Sequence, residues 1–306
     1  MNEQTAQKTI GFIGLGRMGL AMTERLLELG YAVKATDVAA AARSAAAASG
    51  VDVYSDTVRM LAQLPRPSIV WIMVPSKFVD SVLAELMTDL APGSIVIDGG
   101  NSAYGDSRRR HHELAQKQIK FLDCGTSGGV EGARTGASLM VGGEAAVYEE
   151  VKWLFAALAI ENGYARVGNP GAGHFVKTVH NAIEYGMMGA LAEGMAHLDE
   201  RADEFDLSIP DVLKPYVHGS IISSRLLDWL AEGYRSGIVD DISGCVPVGE
   251  TEEKMKYIRD HGDMPVLAAA VAQRISSREQ PSRMGKYIST MRYQFGGHQP
   301  AERPEA

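Results

Sequence analysis

Five short apolar runs mark the first part of the chain, at residues 9–13, 32–36, 68–74, 94–98 and 120–122, each bounded by glycine, proline or polar residues. Between them, stretches such as 19–29 and 79–90 space their apolar residues three and four apart, as an amphipathic helix requires. Strands alternating with helices of this length build βαβ units, which predicts a mostly parallel sheet with helices on both faces. The pattern changes near Gly168: Gly168, Asn169, Pro170, Gly171 and Gly173 interrupt it, and from there strand signals fade and helical spacing takes over. The expected fold class is therefore α/β, an N-terminal Rossmann-like doubly wound parallel sheet over residues 1–167, followed by an all-α C-terminal domain over 168–306. The helix that opens near Gly173 continues through Met187, Met188, Ala190, Leu191 and Ala192, apolar over most of its circumference, and is expected to be central and buried. The alanine-rich stretch 39–48 reads as a surface helix, and the residues after His298 as a frayed end.

Composition narrows the function. With 306 residues, 45% of them hydrophobic and 22% charged, the chain is a packed globular protein of two domains. A net charge of -8 argues against nucleic-acid binding, which needs a basic surface. Small anionic substrates stay open, because a local arginine cluster can oppose the global sign. Cys124 and Cys245 are far apart and lack metal or redox spacing, so both are expected to be buried, reduced thiols, and no metal site is expected. The polar first eight residues and the lack of a long apolar run predict a cytoplasmic protein without membrane contact.

The sequence Gly14-Leu15-Gly16-Arg17-Met18-Gly19 follows the first strand and opens the first helix. Glycines in that context permit a tight turn and let a pyrophosphate approach backbone N–H groups at a helix N-terminus. The second strand leads into Asp37, about 20 residues on, where a carboxylate binds ribose hydroxyls. A carboxylate there repels a 2′-phosphate, and Val38 and Ala39 offer it no cation, so NAD is expected to bind better than NADP. Arg43, one helical turn further on, could swing back and soften that preference.

Lys177, His180, Asn181 and Glu184 fall on one face of the helix near Gly173, beside an apolar stripe of Val176, Val179 and Ile183. Taken alone, that polar face reads equally well as a solvated surface; the apolar flanks favour a cleft. In a cleft beside a dinucleotide, burial pushes a lysine towards neutrality, so that it can take the proton of a substrate hydroxyl as hydride leaves. A carboxyl group further along the helix can return a proton, while His180 and Asn181 orient the substrate. A competing motif, Gly125-Thr126-Ser127-Gly128-Gly129, matches a hydrolase nucleophile elbow, but such an elbow should lead into a helix, and the glycines at 128, 129, 132 and 136 read as an irregular loop. His111-His112 reads as part of a solvated charged helix.

Over nearly its whole length the chain resembles the 6-phosphogluconate dehydrogenases, in the shorter form. The most specific pieces are Ile97-Asp98-Gly99-Gly100-Asn101-Ser102, Ser127-Gly128-Gly129 with Glu131-Gly132-Ala133-Arg134, and Lys177-Thr178-Val179-His180-Asn181 running to Glu184-Tyr185. The resemblance implies an oxidative decarboxylation in which Lys177 is the general base and Glu184 the general acid. It places Val74 and Asn101 with the glycine turn among the cofactor contacts. It assigns Asn101, Ser127, Gly128, Gly129, His180 and Asn181 to the sugar acid, and Tyr185 and Arg274 to its phosphate. Arg292 and His298 match a tail that reaches into a neighbouring subunit's site, which implies a homo-oligomer, dimer or tetramer. One segment departs from the family. Where short relatives carry a glycine-rich stretch with a basic residue and a tryptophan, this chain has Gly249-Glu250-Thr251-Glu252-Glu253-Lys254. Acids there are expected to oppose a phosphate, leaving it to Lys254 or to Arg274 and Arg292, and keeping a small β-hydroxyacid or an unphosphorylated sugar acid as the alternative substrate.

Overall fold

A computed structural model describes residues 8–296. The chain divides into two compact units, with the break between Lys177 and Thr178.

The first unit alternates β1 (Thr9–Ile13), α1 (Arg17–Glu28), β2 (Ala32–Thr36), α2 (Ala40–Ala48), β3 (Asp52–Tyr54), α3 (Thr57–Leu61), β4 (Ile69–Ile72), α4 (Val79–Asp89), β5 (Ile95–Asp98), α5 (Tyr104–Ala115), β6 (Lys120–Ser127), α6 (Gly129–Thr135), β7 (Ala137–Gly142), α7 (Ala145–Leu158) and β8 (Ala159–Gly168). The strands form one sheet in the order β3-β2-β1-β4-β5-β6-β7-β8. Every pairing is parallel except β6 with β7. Because successive strand residues face opposite sides, the continuous apolar strands feed two cores. Phe12, Trp71, Ile97 and Leu122 join one, while their neighbours Ile13, Ile72, Val96 and Phe121 join the other. The chain lays down β1 to β3 in one direction and then crosses back to β4, so the carboxyl ends of β1 and β4 sit side by side at the switch point, where α/β sheets bind ligands.

Two local expectations need correction. The strand expected at 120–122 runs on to Ser127, and the glycine-rich stretch beyond it is the helix α6 rather than a loop. Gly128 and Gly129 take positive φ (116° and 65°) to start that helix, and Arg134 then ties it to Glu24 and Glu28 of α1. Tertiary anchoring thus overrides the low helix propensity of glycine.

The long helix α8 (Ala172–Glu200) spans the division. The second unit continues with α9 (Ala202–Phe205), α10 (Ile209–Val217), α11 (Arg225–Arg235), α12 (Ile238–Asp241), α13 (Glu252–His261), α14 (Pro265–Glu279) and α15 (Arg283–Gly296), and no strand occurs among its described residues. Met188, Ala192, Met195 and Ala196 of α8 pack with Leu213, Leu227, Leu230, Tyr287 and Met291 in its main core. The helix is not buried all round: Ile183 and Met187 are 57% and 43% exposed, so its apolar circumference exceeds what this chain alone covers. Cys124 is buried, but Cys245 only partly so; both are free thiols. His111 is likewise half-buried, 3.7 Å from Glu144, while His112 is exposed. No described helix is long and apolar enough to cross a membrane, and no described cluster of side chains has the makings of a metal site.

Candidate active site

The glycine turn is built for close approach. Gly14 adopts φ +100°, and a β-carbon there would collide with the Met73 carbonyl and stand 2.9 Å from Val74 Cγ1. A β-carbon on Gly19 would strike the Gly14 carbonyl, so the first turn of α1 lies directly on the loop. Gly16 is the opposite case: exposed, with open space where a side chain would be. It caps α1, whose start has no side-chain cap and no acid in its first turn. Free N–H groups at the positive end of a helix are left facing an open cradle, which fits the pyrophosphate of a dinucleotide.

Asp37 sits immediately beyond β2 and is held in place by that same loop. Its Oδ2 accepts the Leu15 N–H at 2.6 Å and its Oδ1 the Ala39 N–H at 2.8 Å. Arg43 does swing back: its guanidinium donates to the carbonyls of Asp37 (2.6 Å) and Val38 (3.2 Å). Val38 itself is fully exposed. The rim beyond β2 therefore carries one carboxylate and one guanidinium.

At the end of β5, Asp98 is fully buried and organises the segment containing Asn101. It accepts the Gly100 N–H (3.1 Å), the Ser102 hydroxyl (2.7 Å) and the Arg110 guanidinium (3.0 Å). A β-carbon on Gly100 would lie 2.9 Å from the Val74 carbonyl, so Val74 and Asn101 follow adjacent strand ends. Ser127 is the last residue of β6, paired with Ser138 of β7, and the turn falls at Gly128. A nucleophile elbow puts its serine on the turn itself. The helix after Ser127 removes the original objection to a hydrolase, but the placement of Ser127 within the strand supplies a better one.

Helix α8 carries Lys177, His180, Asn181 and Glu184 along one face over two turns. Lys177 is half-buried, and a β-carbon on Gly125 of β6 would collide with its side chain. Asn181 is buried, and His180 Nδ1 lies 3.3 Å from its Oδ1 and 4.0 Å from Glu184 Oε2. The Glu184 side chain is 26% exposed. An amine, an imidazole, an amide and a carboxyl group thus follow one another along one face of α8.

The residue after Glu184 leads to a second cluster. Tyr185 is buried, its hydroxyl 3.1 Å from Thr251 Oγ1, and the Arg274 guanidinium lies over its ring. Arg274 and Arg292 are both buried, and among the described residues no carboxylate lies within ion-pair distance of either. Among the described residues, the Arg274 guanidinium donates to the Met188 sulfur at 3.3 Å and its Nε has no hydrogen-bond partner. Arg292 donates to the Pro247 carbonyl at 2.6 Å, and a β-carbon on Gly249 would stand 2.8 Å from its guanidinium. Burial drags Arg274 down to about 10 and lowers Arg292 as well. Buried cations without an ion-pair partner are costly, which makes the pair a candidate site for an anion.

Two acids of the departing segment have cation partners of their own. Glu252 turns inward at the start of α13 and pairs with Arg278 (3.0 Å from Nη1 to Oε1) and Lys256 (3.2 Å). Glu253 also pairs with Lys256, at 2.8 Å, and Glu250 is exposed. Thr251, hidden among these acids in the sequence, is the member of the segment that meets Tyr185. Nothing in the local pattern singled it out. His298 lies outside the described residues.

The family model for the NAD binding domain of 6-phosphogluconate dehydrogenase matches residues 9–168. The NAD(+)-dependent, decarboxylating 6-phosphogluconate dehydrogenase of Haloferax volcanii is 35% identical over 303 residues, covering 97% of this chain and 99% of that one. Among solved structures, Plasmodium falciparum 6-phosphogluconate dehydrogenase, studied with NADP+ and with 6-phosphogluconate, aligns with a TM-score of 0.78 at 26% identity, over 89% of this chain and 62% of that longer one. Mycobacterium tuberculosis 3-hydroxyisobutyrate dehydrogenase, solved with L-serine, shares the fold, with a TM-score of 0.74 at 21% identity over 94% of this chain and 99% of that one.

Proposed function

The chain belongs to the 6-phosphogluconate dehydrogenase family, NAD(P)-dependent dehydrogenases, and from that premise we propose that it oxidatively decarboxylates 6-phosphogluconate to ribulose 5-phosphate and carbon dioxide, with NAD as the preferred acceptor. The observation that carries this reading is the adjacency of Glu184 and Tyr185: one helix presents the acid-base face and, at the next residue, the ring beneath a buried arginine that has no ion-pair partner among the described residues. A substrate with a reacting hydroxyacid end and a phosphate end suits both.

Gly14, Leu15, Gly16, Arg17, Met18, Gly19, Asp37, Val74 and Asn101 would hold the dinucleotide, which when bound supplies the hydride acceptor. Lys177 takes the proton of the 3-hydroxyl as hydride leaves C3, generating a β-keto acid. The C1–C2 bond then breaks, carbon dioxide departs, and its electron pair becomes the C2–C3 double bond as Lys177 returns its proton to the C3 oxygen. Glu184 protonates the resulting enediol at C2 while the C3 hydroxyl gives its proton back to Lys177, leaving the ketone. Asn101, Ser127, Gly128, Gly129, His180 and Asn181 orient the sugar acid, while Tyr185, Arg274 and Arg292 receive the phosphate. Asp37 favours NAD by repelling a 2′-phosphate; Arg43 leaves NADP as a weaker substitute. The apolar surface of α8 at Ile183 and Met187 supports a homo-oligomer, with the tail containing His298 completing a neighbouring site.

The test is NAD and NADP reduction by the purified protein with 6-phosphogluconate, gluconate and a small β-hydroxyacid, with carbon dioxide captured. Stoichiometric carbon dioxide from 6-phosphogluconate is expected. Turnover of the small hydroxyacid alone, without carbon dioxide, would replace this reading with a non-decarboxylating one.

A further inference from the structure

Asp123 is a fully buried carboxylate in the middle of β6, between Leu122 and Cys124, which both enter the apolar core. Nothing in the proposed chemistry uses it. Its Oδ1 accepts the Gly171 N–H at 2.7 Å and its Oδ2 the His174 N–H at 2.8 Å. Both amides belong to the start of α8, where no helical carbonyl is available to them, and a negative group there also meets the positive end of the helix. An ordinary cap comes from a neighbouring residue, whereas this one reaches in from 48 and 51 residues away.

The same strand touches the helix twice more. A β-carbon on Gly173 would stand 2.5 Å from the Asp123 carbonyl, so backbone lies on backbone. Two residues along β6, Gly125 leaves room for the Lys177 side chain, one helical turn beyond His174. The His174 ring is held as well, its Nδ1 2.7 Å from the Ser107 hydroxyl and 3.9 Å from Asp123 Oδ2. A buried carboxylate is a costly way to hold a helix if only stability is needed. It is an effective way to fix both the rotation and the height of the turn that carries Lys177.

We propose that Asp123 is a positioning residue, which clamps the first turn of α8 to β6 and thereby aims the Lys177 amine. The proposal rests on reading Lys177 as the base. A displacement of about 1 Å at a reacting group costs on the order of 100-fold in rate.

Asp123→Asn keeps the volume but turns one acceptor into a donor facing a backbone N–H. Three quantities are measured: amide hydrogen exchange across residues 169–179, NAD affinity by titration calorimetry, and kcat and KM with their pH profiles. Exchange at the start of α8 is expected to rise about tenfold, as for one lost hydrogen bond. The NAD Kd should stay within about twofold while kcat falls roughly 100-fold and the acid limb of its pH profile moves. Unchanged exchange, or kcat per NAD-binding site within about threefold of wild type, overturns the proposal. So does parallel loss of NAD binding and of protection throughout the unit, which would make Asp123 merely structural. Gly125→Ala presses a β-carbon chiefly on the Lys177 side chain, and more lightly on the Gly173 carbonyl, while leaving the Asp123 carboxylate itself unaltered. It should lower kcat without raising exchange at Gly171 and His174, and it decides the matter if the Asn variant does not fold. A wild type inactive on 6-phosphogluconate would refute the functional reading instead, leaving the clamp to stand or fall on the exchange data.

Discussion

The guanidinium carbon of Arg274 sits 3.4 Å from the centre of the Tyr185 ring. Stacking fixes the plane of the guanidinium, and the ring's electron-rich face offsets part of the cost of burying a cation. The rest of that cost shows as the fall of Arg274 to about 10, driven by desolvation and reinforced by Arg292. A dianionic phosphate beside the two arginines would reverse the shift, because an opposite charge favours the protonated form.

Arg274→Ala should therefore raise the KM for 6-phosphogluconate about 100-fold, the scale of a lost buried charged contact, with the KM for NAD unchanged. Arg274→Lys should recover little, since an ammonium neither stacks as a plane nor offers a fork. Steady-state kinetics with each substrate varied in turn distinguishes these outcomes. Equal effects on both KM values would mean that Arg274 supports the fold rather than the phosphate.

Glu252 gives a prediction about stability. Arg278, and then Lys256, hold its carboxyl below the ordinary 4.5, so the folded protein binds that proton less readily than the unfolded chain. The contribution is fully present above pH 4.5 and is lost as the pH falls through the lowered native value. Glu252→Gln should cost about 2 kcal/mol near neutrality, since Glu252 is buried and Arg278 only a quarter exposed. The gap to wild type should close in acid. Denaturant melts at pH 7 and at steps well below pH 4 measure it, and a pH-independent gap would show that the pair contributes through packing instead.

How much of this was legible in the sequence depends on whether local pattern or distant contact fixes each element. The strands Thr9–Ile13 and Ala32–Thr36 are as expected, because each is an unbroken apolar run flanked by punctuation. The strands Ala137–Gly142 and Ala159–Gly168 went unrecognised: the first lies among glycines, and the second is interrupted by Glu161-Asn162-Gly163, with Asn162 at φ 59°. The glycine turn and the polar face of α8 could be read from spacing alone. The roles of Asp123, Thr251 and Glu252 could not, since each is defined by a partner 26 to 66 residues away.

The cofactor rim predicts a graded change. Asp37→Ala removes both the acceptor for the ribose and the brace on Leu15, and should weaken NAD binding roughly 10- to 100-fold, while relieving repulsion of NADP. Combining it with Val38→Arg should reverse the preference, because Val38 is fully exposed and a guanidinium there reaches solvent without repacking. Arg43→Ala should lower NADP binding more than NAD binding. Titrations with both dinucleotides measure each step, and equal losses for the two on removing Arg43 would confine it to bracing the Asp37 and Val38 carbonyls.

Lys177→Met is the most direct test of the chemistry. Methionine keeps the length and packing of the lysine stem but removes the proton acceptor, and the methylene packed over Gly125 should stay where it is. NAD binding should be nearly unchanged, because the cradle at Gly16 and the carboxylate of Asp37 do not involve α8. Turnover should fall by roughly 1,000-fold or more, the scale of a lost general base in a preorganised site. Glu184→Gln should slow the later protonation instead, so that hydride transfer in a single turnover survives while steady-state release of product does not. Rapid-mixing measurements of nicotinamide reduction, alongside carbon dioxide release, separate the two steps. If both variants lost hydride transfer equally, Glu184 would be acting before decarboxylation, and the roles of the two residues would have to be redrawn.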